Sequence, residues 1–162
     1  AKIPPAMLRP HFGFEHLPDF DPLLWTRIRT ESEARVQPLP QGLIRGSDAD
    51  RQAMQAARTN CRRLPGGERI GLKKSRFEDL PGLQEGTIVC NPPYGRRLQG
   101  RKEAGRLLED FGRFMRESCS RSTAFVFLGS KDQQRHIPLS PAWTKELSNG
   151  GILGCLAKYK IR

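Results

Sequence analysis

Residues 88–98 read Ile-Val-Cys-Asn-Pro-Pro-Tyr-Gly-Arg-Arg-Leu, a short apolar run that passes straight into Asn91, Pro92, Pro93 and Tyr94. Two consecutive prolines fix the backbone and remove two amide donors, so the carbonyls beside them must find donors outside a strand ladder. The Pro92 carbonyl and the Asn91 side-chain oxygen then make a pair of acceptors able to take both protons of an exocyclic amine. Tyr94 adds a flat face on which a nucleobase can stack. A nucleobase amine is a poor nucleophile because its lone pair is delocalised into the ring. Holding both N–H bonds favours a pyramidal nitrogen and aims its lone pair at an electrophile, which is catalysis by positioning and electrostatics. Asn and Pro also build ordinary rigid turns, so the elements around the motif have to support the reading.

Two acids are the other candidates. Asp48 follows a short strand and precedes a helix, where a carboxylate accepts from both hydroxyls of a ribose, or where Asp48 or Asp50 simply caps the helix. Asp79, in Phe77-Glu78-Asp79, is either a solvated loop acid or an acceptor for an adenine amino group.

The elements that must position these residues alternate along the chain. Residues 1–20 read as an irregular lead-in, and Asp21-Pro22 starts a helix with Leu24, Trp25 and Ile28 on one side, closed by Pro38 and Pro40. A strand is expected over 42–45, a turn over 46–50, and a helix over 51–64 with Ala53, Met54, Ala57, Cys61 and Leu64 on one face. Pro65-Gly66-Gly67 stops it. Strands follow near 70–73 and over 87–90, with Asp79 in the loop between them. A helix over about 103–119 buries Leu107, Leu108, Phe111, Phe114 and Met115, and the apolar strand 123–128 is short enough to be central in a parallel sheet. Strands at 142–147 and 152–159 flank Ser148-Asn149-Gly150-Gly151, a hairpin turn. The pattern is a mostly parallel α/β sheet closed by an antiparallel hairpin, and ligands of such sheets bind at the carboxyl ends of strands. Asp48, Asp79 and the Asn91 motif all fall at such ends.

Length and charge narrow the partner. The chain of 162 residues suffices for one sizeable core, and 28 Lys and Arg against 17 Asp and Glu leave a net charge of +11. An arginine-dominated excess suits phosphate. Cys61, Cys90, Cys119 and Cys155 are widely separated and read as reduced core thiols of a cytosolic protein, and with only His11, His16 and His136 beside them no metal-ligand spacing is recognisable. No apolar run approaches a transmembrane length.

The order Gly46-Ser-Asp-Ala-Asp50, Ala57-Arg-Thr-Asn60, Phe77-Glu-Asp79 and Asn91-Pro-Pro-Tyr-Gly95 resembles the methyltransferase domain of THUMP-containing RNA guanine-N2 methyltransferases, especially the bacterial 23S rRNA enzymes. His11-Phe-Gly-Phe-Glu15, the Asp21 to Trp25 helix start, Leu147-Ser-Asn-Gly150 and Gly154-Cys-Leu156 fit the same family, so the resemblance spans nearly the whole chain. Asn-Pro-Pro-Tyr is shared with adenine-N6 and protein-glutamine methyltransferases, whereas Gly95, Arg97-Leu98 and the chain's ending favour the RNA guanine branch.

The resemblance implies a Rossmann-like class I fold that binds S-adenosyl-L-methionine, with Asp48 on the ribose, Asp79 on the adenine, and Asn91, Pro92, Pro93 and Tyr94 holding a guanine amine beside the cofactor's methyl group. Arg96, Arg97, Arg101 and Lys102, just after the motif, are expected to meet RNA phosphates or to form a solvated charge run. Ribosomal RNA is a more natural partner than tRNA in this resemblance, with no membrane involved and a cytoplasmic location. An adenine-N6 methyltransferase and a non-catalytic RNA-binding remnant are the alternatives. The family's first motif, an Asp-Pro-x-Cys-Gly-Ser-Gly loop on the first strand, is missing from 1–162, so the expectation is a partial methyltransferase domain with that strand absent.

Overall fold

The computed structural model describes residues 1–4, 7–93, 98–149 and 152–162. They divide into two compact units, Ala1–Arg76 and Phe77–Arg162.

In the first unit the lead-in is organised by aromatic rings. Phe12 and Phe14 stack with centroids 5.2 Å apart, and Trp25 meets both edge-on at 5.5 and 5.0 Å. Trp25 belongs to α1 (Pro22–Ala34), which starts where the sequence predicts because Asp21 Oδ1 accepts from the Leu23 and Leu24 amides at 2.9 and 3.0 Å and Pro22 occupies the first turn. Next comes a βαβ unit of β1 (Arg45–Asp48), α2 (Arg51–Cys61) and β2 (Gly71–Lys74). The two strands run parallel with Gly46 opposite Leu72 and Asp48 opposite Lys74.

These limits correct the expected strand over 42–45 and turn over 46–50. Gly42 has a left-handed φ of +76° and Leu43 and Ile44 are exposed, so the apolar pair that suggested a strand lies in the approach to it. Pairing with β2 carries the strand on through Asp48. The expected strand over 70–73 likewise begins and ends one residue later. α2 ends at Cys61, three residues short of the expected 64; of the predicted face Met54 is buried and Ala57 and Cys61 are half-buried, whereas Ala53 is exposed and half-buried Leu64 lies past the helix.

The second unit is a four-stranded sheet in the order β3 (Thr87–Cys90), β4 (Thr123–Leu128), β6 (Ile152–Lys160), β5 (Trp143–Asn149), with α3 (Leu98–Ser118) between β3 and β4. β3 and β4 are parallel, and β6 is antiparallel to both β4 and β5. The strand expected to be central in a parallel sheet therefore has a parallel neighbour on one side only. Burial alternates along β4: Ala124, Val126 and Leu128 are enclosed with Leu108, Met115 and Cys119 from the α3 side and Cys155, Ala157 and Tyr159 from β6. Each large aliphatic side chain buried there contributes about 1.5–3 kcal/mol.

α3 begins at Leu98, five residues earlier than its apolar pattern indicates, because Gln99-Gly-Arg-Lys102 offers no apolar repeat in the sequence. The hairpin strands are also longer than expected, pairing from Trp143↔Lys158 to Asn149↔Ile152, so Ser148 and Asn149 are strand residues, and Gly150 and Gly151 lie outside the described residues. Among the described residues β1 pairs with β2 alone and β3 with β4 alone, and no helix is long and apolar enough to cross a membrane.

Candidate functional site

β3 ends at Cys90 and hands the chain to Asn91, which is exposed, then to half-buried Pro92 and exposed Pro93. Cys90 sits opposite Val126 on β4, and its thiol is pushed up to about 12 by burial. Cys90 is half-buried and packs against the core cluster, which holds the last strand residue before the polar motif. Among the described residues no backbone amide donates to the Pro92 carbonyl. Tyr94, Arg96 and Arg97 lie outside the described residues.

Because β3 and β4 are parallel neighbours, the chain leaving β4 runs out at the same sheet edge as Asn91. There the Gly129 amide donates to Gln133 Oε1 at 2.8 Å, closing a small loop before the 3₁₀ turn Lys131–His136. Sequence reasoning passed over this segment. Its signal was Gly129-Ser130 directly after an apolar strand, the same strand-to-polar transition that marks Asn91.

Asp79 lies in the 3₁₀ turn Phe77–Asp79 rather than in an irregular loop. Phe77 fixes that turn by packing on Phe111 and Phe114 of α3 with centroids 5.3 and 5.7 Å apart. The Asp79 carboxylate is exposed, and among the described residues it has no ion-pair or hydrogen-bond partner. Lys102 is exposed in the early turns of α3, and Arg101 precedes it on that helix, so both belong to a helix rather than to a loop after the motif.

In the first unit the structure separates the two aspartates that the sequence left interchangeable. Asp50 Oδ1 accepts from the Ala53 amide at 2.8 Å and caps α2. Asp48 Oδ1 accepts from the Asp50 amide at 2.8 Å, and its side chain is exposed at the carboxyl end of β1. Asp48 is thus not the helix cap. Among the described residues no donor reaches its second carboxylate oxygen, an acceptor of the kind that a diol's hydroxyls donate to. Among the described residues no group of three or more His, Cys, Asp or Glu could hold a metal ion.

Parallel strands joined by helices, an antiparallel hairpin at one end and polar groups at the carboxyl ends of the strands define the class I methyltransferase fold. The solved structure of SMU.472, a candidate methyltransferase in complex with SAH, superposes with a TM-score of 0.80 at 26% identity, covering 99% of this chain and 42% of that one. The family model for the RMKL-like methyltransferase domain (UPF0020) matches residues 1–158, and the chain belongs to that family. A candidate RNA methyltransferase of Synechocystis sp., slr0064, is 34% identical over 98% of this chain and 42% of its own length. The ribosomal RNA large subunit methyltransferase K/L of Aliivibrio salmonicida is 33% identical over 99% of this chain and 24% of its own. The chain therefore spans less than half the length of these relatives.

Proposed function

We propose that this chain is the greater part of a methyltransferase domain that moves a methyl group from S-adenosyl-L-methionine to the exocyclic N2 amine of a guanine in RNA, with 23S rRNA as the substrate and a full protein of the THUMP-containing branch. The observation that carries the reading is the delivery of Asn91 and Pro92, as two adjacent acceptors, at the end of β3 by a strand whose last residue, half-buried Cys90, packs against the core. The names of the relatives as RNA and ribosomal RNA methyltransferases support the substrate class.

Asp48 accepts from the ribose hydroxyls of the cofactor, and Asp79 from its adenine amine. The cofactor supplies an electrophilic methyl group on a sulfonium. Asn91 Oδ1 and the Pro92 carbonyl accept the two protons of the target amine, Pro93 keeps the backbone rigid beneath them, and Tyr94 stacks on the base. A paired guanine has to be extruded first, at a cost of a few kcal/mol. Arg96, Arg97, Arg101 and Lys102 meet the phosphates flanking it. A strand bearing the family's glycine motif is proposed to pair along the open edge of β3 and to complete the methionine half of the cofactor site.

Mass spectrometry of nucleosides from RNA treated with the full-length protein tests the reaction. N2-methylguanosine is expected. N6-methyladenosine in its place moves the substrate to adenine, and no modified nucleoside together with no cofactor binding leaves an RNA-binding remnant.

The Asp48 assignment has its own test. Losing a hydrogen-bonded carboxylate costs about 1.5–3 kcal/mol, so Asp48→Ala is expected to weaken S-adenosyl-L-methionine binding roughly 10- to 100-fold in calorimetric titration. The fold should be retained, because Asp50 caps α2. Unchanged affinity removes Asp48 from the cofactor site.

A further inference from the structure

α2 carries four long polar side chains in register: Arg51, Gln55, Arg58 and, at the residue just past its end, Arg62. Positions 51, 55, 58 and 62 fall within about 60° of arc at 3.6 residues per turn and extend about 16 Å along the axis. All four are exposed. The apolar face of the helix, with buried Met54 and half-buried Ala57 and Cys61, points elsewhere.

The pairing of these arginines differs from that on α1. There Arg27 and Arg35 both reach Glu31, at 4.0 and 3.7 Å, and Arg29 reaches Glu33 at 3.9 Å, each one turn away. α2 contains no acidic residue, and among the described residues no carboxylate lies within ion-pair distance of Arg51, Arg58 or Arg62. Like charges one turn apart, as Arg58 and Arg62 are, disfavour a helix. A basic residue in the last turn complements the helix dipole, which accounts for Arg58 and Arg62, but the same dipole disfavours a cation at the first residue, where Arg51 stands. Helix stability therefore does not explain the stripe.

We infer that the Arg51, Arg58 and Arg62 stripe is a track for the phosphate backbone of the RNA substrate, separate from the arginines that follow Asn91. The inference rests on the RNA reading above. A stacked strand places a phosphate about every 3.4 Å, so a stripe of about 16 Å spans about five phosphates and three planar guanidiniums grip three of them. Gln55 within the stripe and Gln52 and Thr59 beside it are polar, with no apolar side chain to enter a lipid surface.

The test is fluorescence anisotropy of a labelled single-stranded RNA with full-length protein across a salt series, alongside the nucleoside assay. Replacing Arg51, Arg58 and Arg62 together with Gln, a good helix former, should flatten the log–log salt dependence by about 2, at about 0.7 for each lost phosphate contact. Replacing Arg27, Arg29 and Arg35 with Gln removes the same formal charge and should leave the slope unchanged. The triple Lys variant of the stripe should keep the slope, because counterion release counts charge. If the wild-type protein binds RNA and the stripe variant keeps its slope, or the α1 variant flattens it equally, the track is overturned and the RNA reading stands. A wild-type protein without salt-dependent RNA binding overturns both. If the triple Gln variant loses its fold, the single variants Arg51→Gln, Arg58→Gln and Arg62→Gln decide: a slope lower by about 0.7 in each supports the track and unchanged slopes overturn it.

Discussion

Asn91→Ala in the full-length protein is expected to lose roughly 10²-fold or more in turnover, the effect of removing one preorganised polar group from a reacting centre. Cofactor affinity should stay within a few-fold, because the proposed acceptor acts on the target amine. Position is the basis for this separation. Asn91 stands one residue past the end of β3, while half-buried Cys90 before it packs against the core. Removing the side-chain amide leaves Cys90 and the Pro92 carbonyl in place, so one of the two proposed acceptors remains. Single-turnover methyl transfer, measured beside calorimetric titration of the cofactor, checks both halves. Turnover near wild type removes Asn91 from catalysis, and a parallel collapse of cofactor affinity makes it a binding residue.

What could be read from the sequence depended on how local the determining interaction is. β3 and β4 were placed to the residue because short runs such as Thr-Ile-Val-Cys and Thr-Ala-Phe-Val-Phe-Leu are bounded by turn residues. The start of α1 was readable because Asp21-Pro22 is a cap and a first-turn proline in one dipeptide. β1 was misplaced because its apolar neighbours Leu43 and Ile44 lie outside the strand, and its limits come from β2, more than twenty residues away. The first turns of α3 were missed because Gln99-Gly-Arg-Lys102 carries no apolar repeat. The same division holds at the site. Asn-Pro-Pro announces itself by residue type, whereas the distinct roles of Asp48 and Asp50 became visible only in the hydrogen bonds to the Asp50 and Ala53 amides. The arginine stripe on α2 was present in the sequence as a spacing, but that no carboxylate among the described residues pairs with it became visible only in the structure.

The second large effect is expected far from the carboxyl ends of the strands. Gly82→Ala should destabilise the protein by about 3 kcal/mol or more, the upper range for forcing an added methyl into a packed site. A Cβ on Gly82 would overlap the Ser118 carbonyl oxygen and approach Ser118 Cβ to 3.0 Å. That carbonyl belongs to the last residue of α3 and cannot rotate aside, and it accepts from the Leu83 amide at 2.8 Å. Relieving the overlap pulls the segment ahead of β3 away from the helix end. It also disturbs Ser122, whose buried hydroxyl accepts from the Gly86 amide at 3.1 Å and lies 3.2 Å from the Leu83 carbonyl. These bonds hold the start of β3 beside the start of β4, where Thr123 donates to the Gly86 carbonyl at 2.9 Å. The strand that delivers Asn91 is thus registered from its opposite end. In a protein of this size 3 kcal/mol corresponds to a fall in Tm of roughly 6–12 °C. Gly13→Ala is the control, since nothing lies within 4 Å of a Cβ there. Thermal melts of the two full-length variants decide the point: a large drop for Gly82→Ala and none for Gly13→Ala is expected. Equal stabilities would mean that α3 and the segment before β3 do not meet as tightly as the Leu83 to Ser118 hydrogen bond requires.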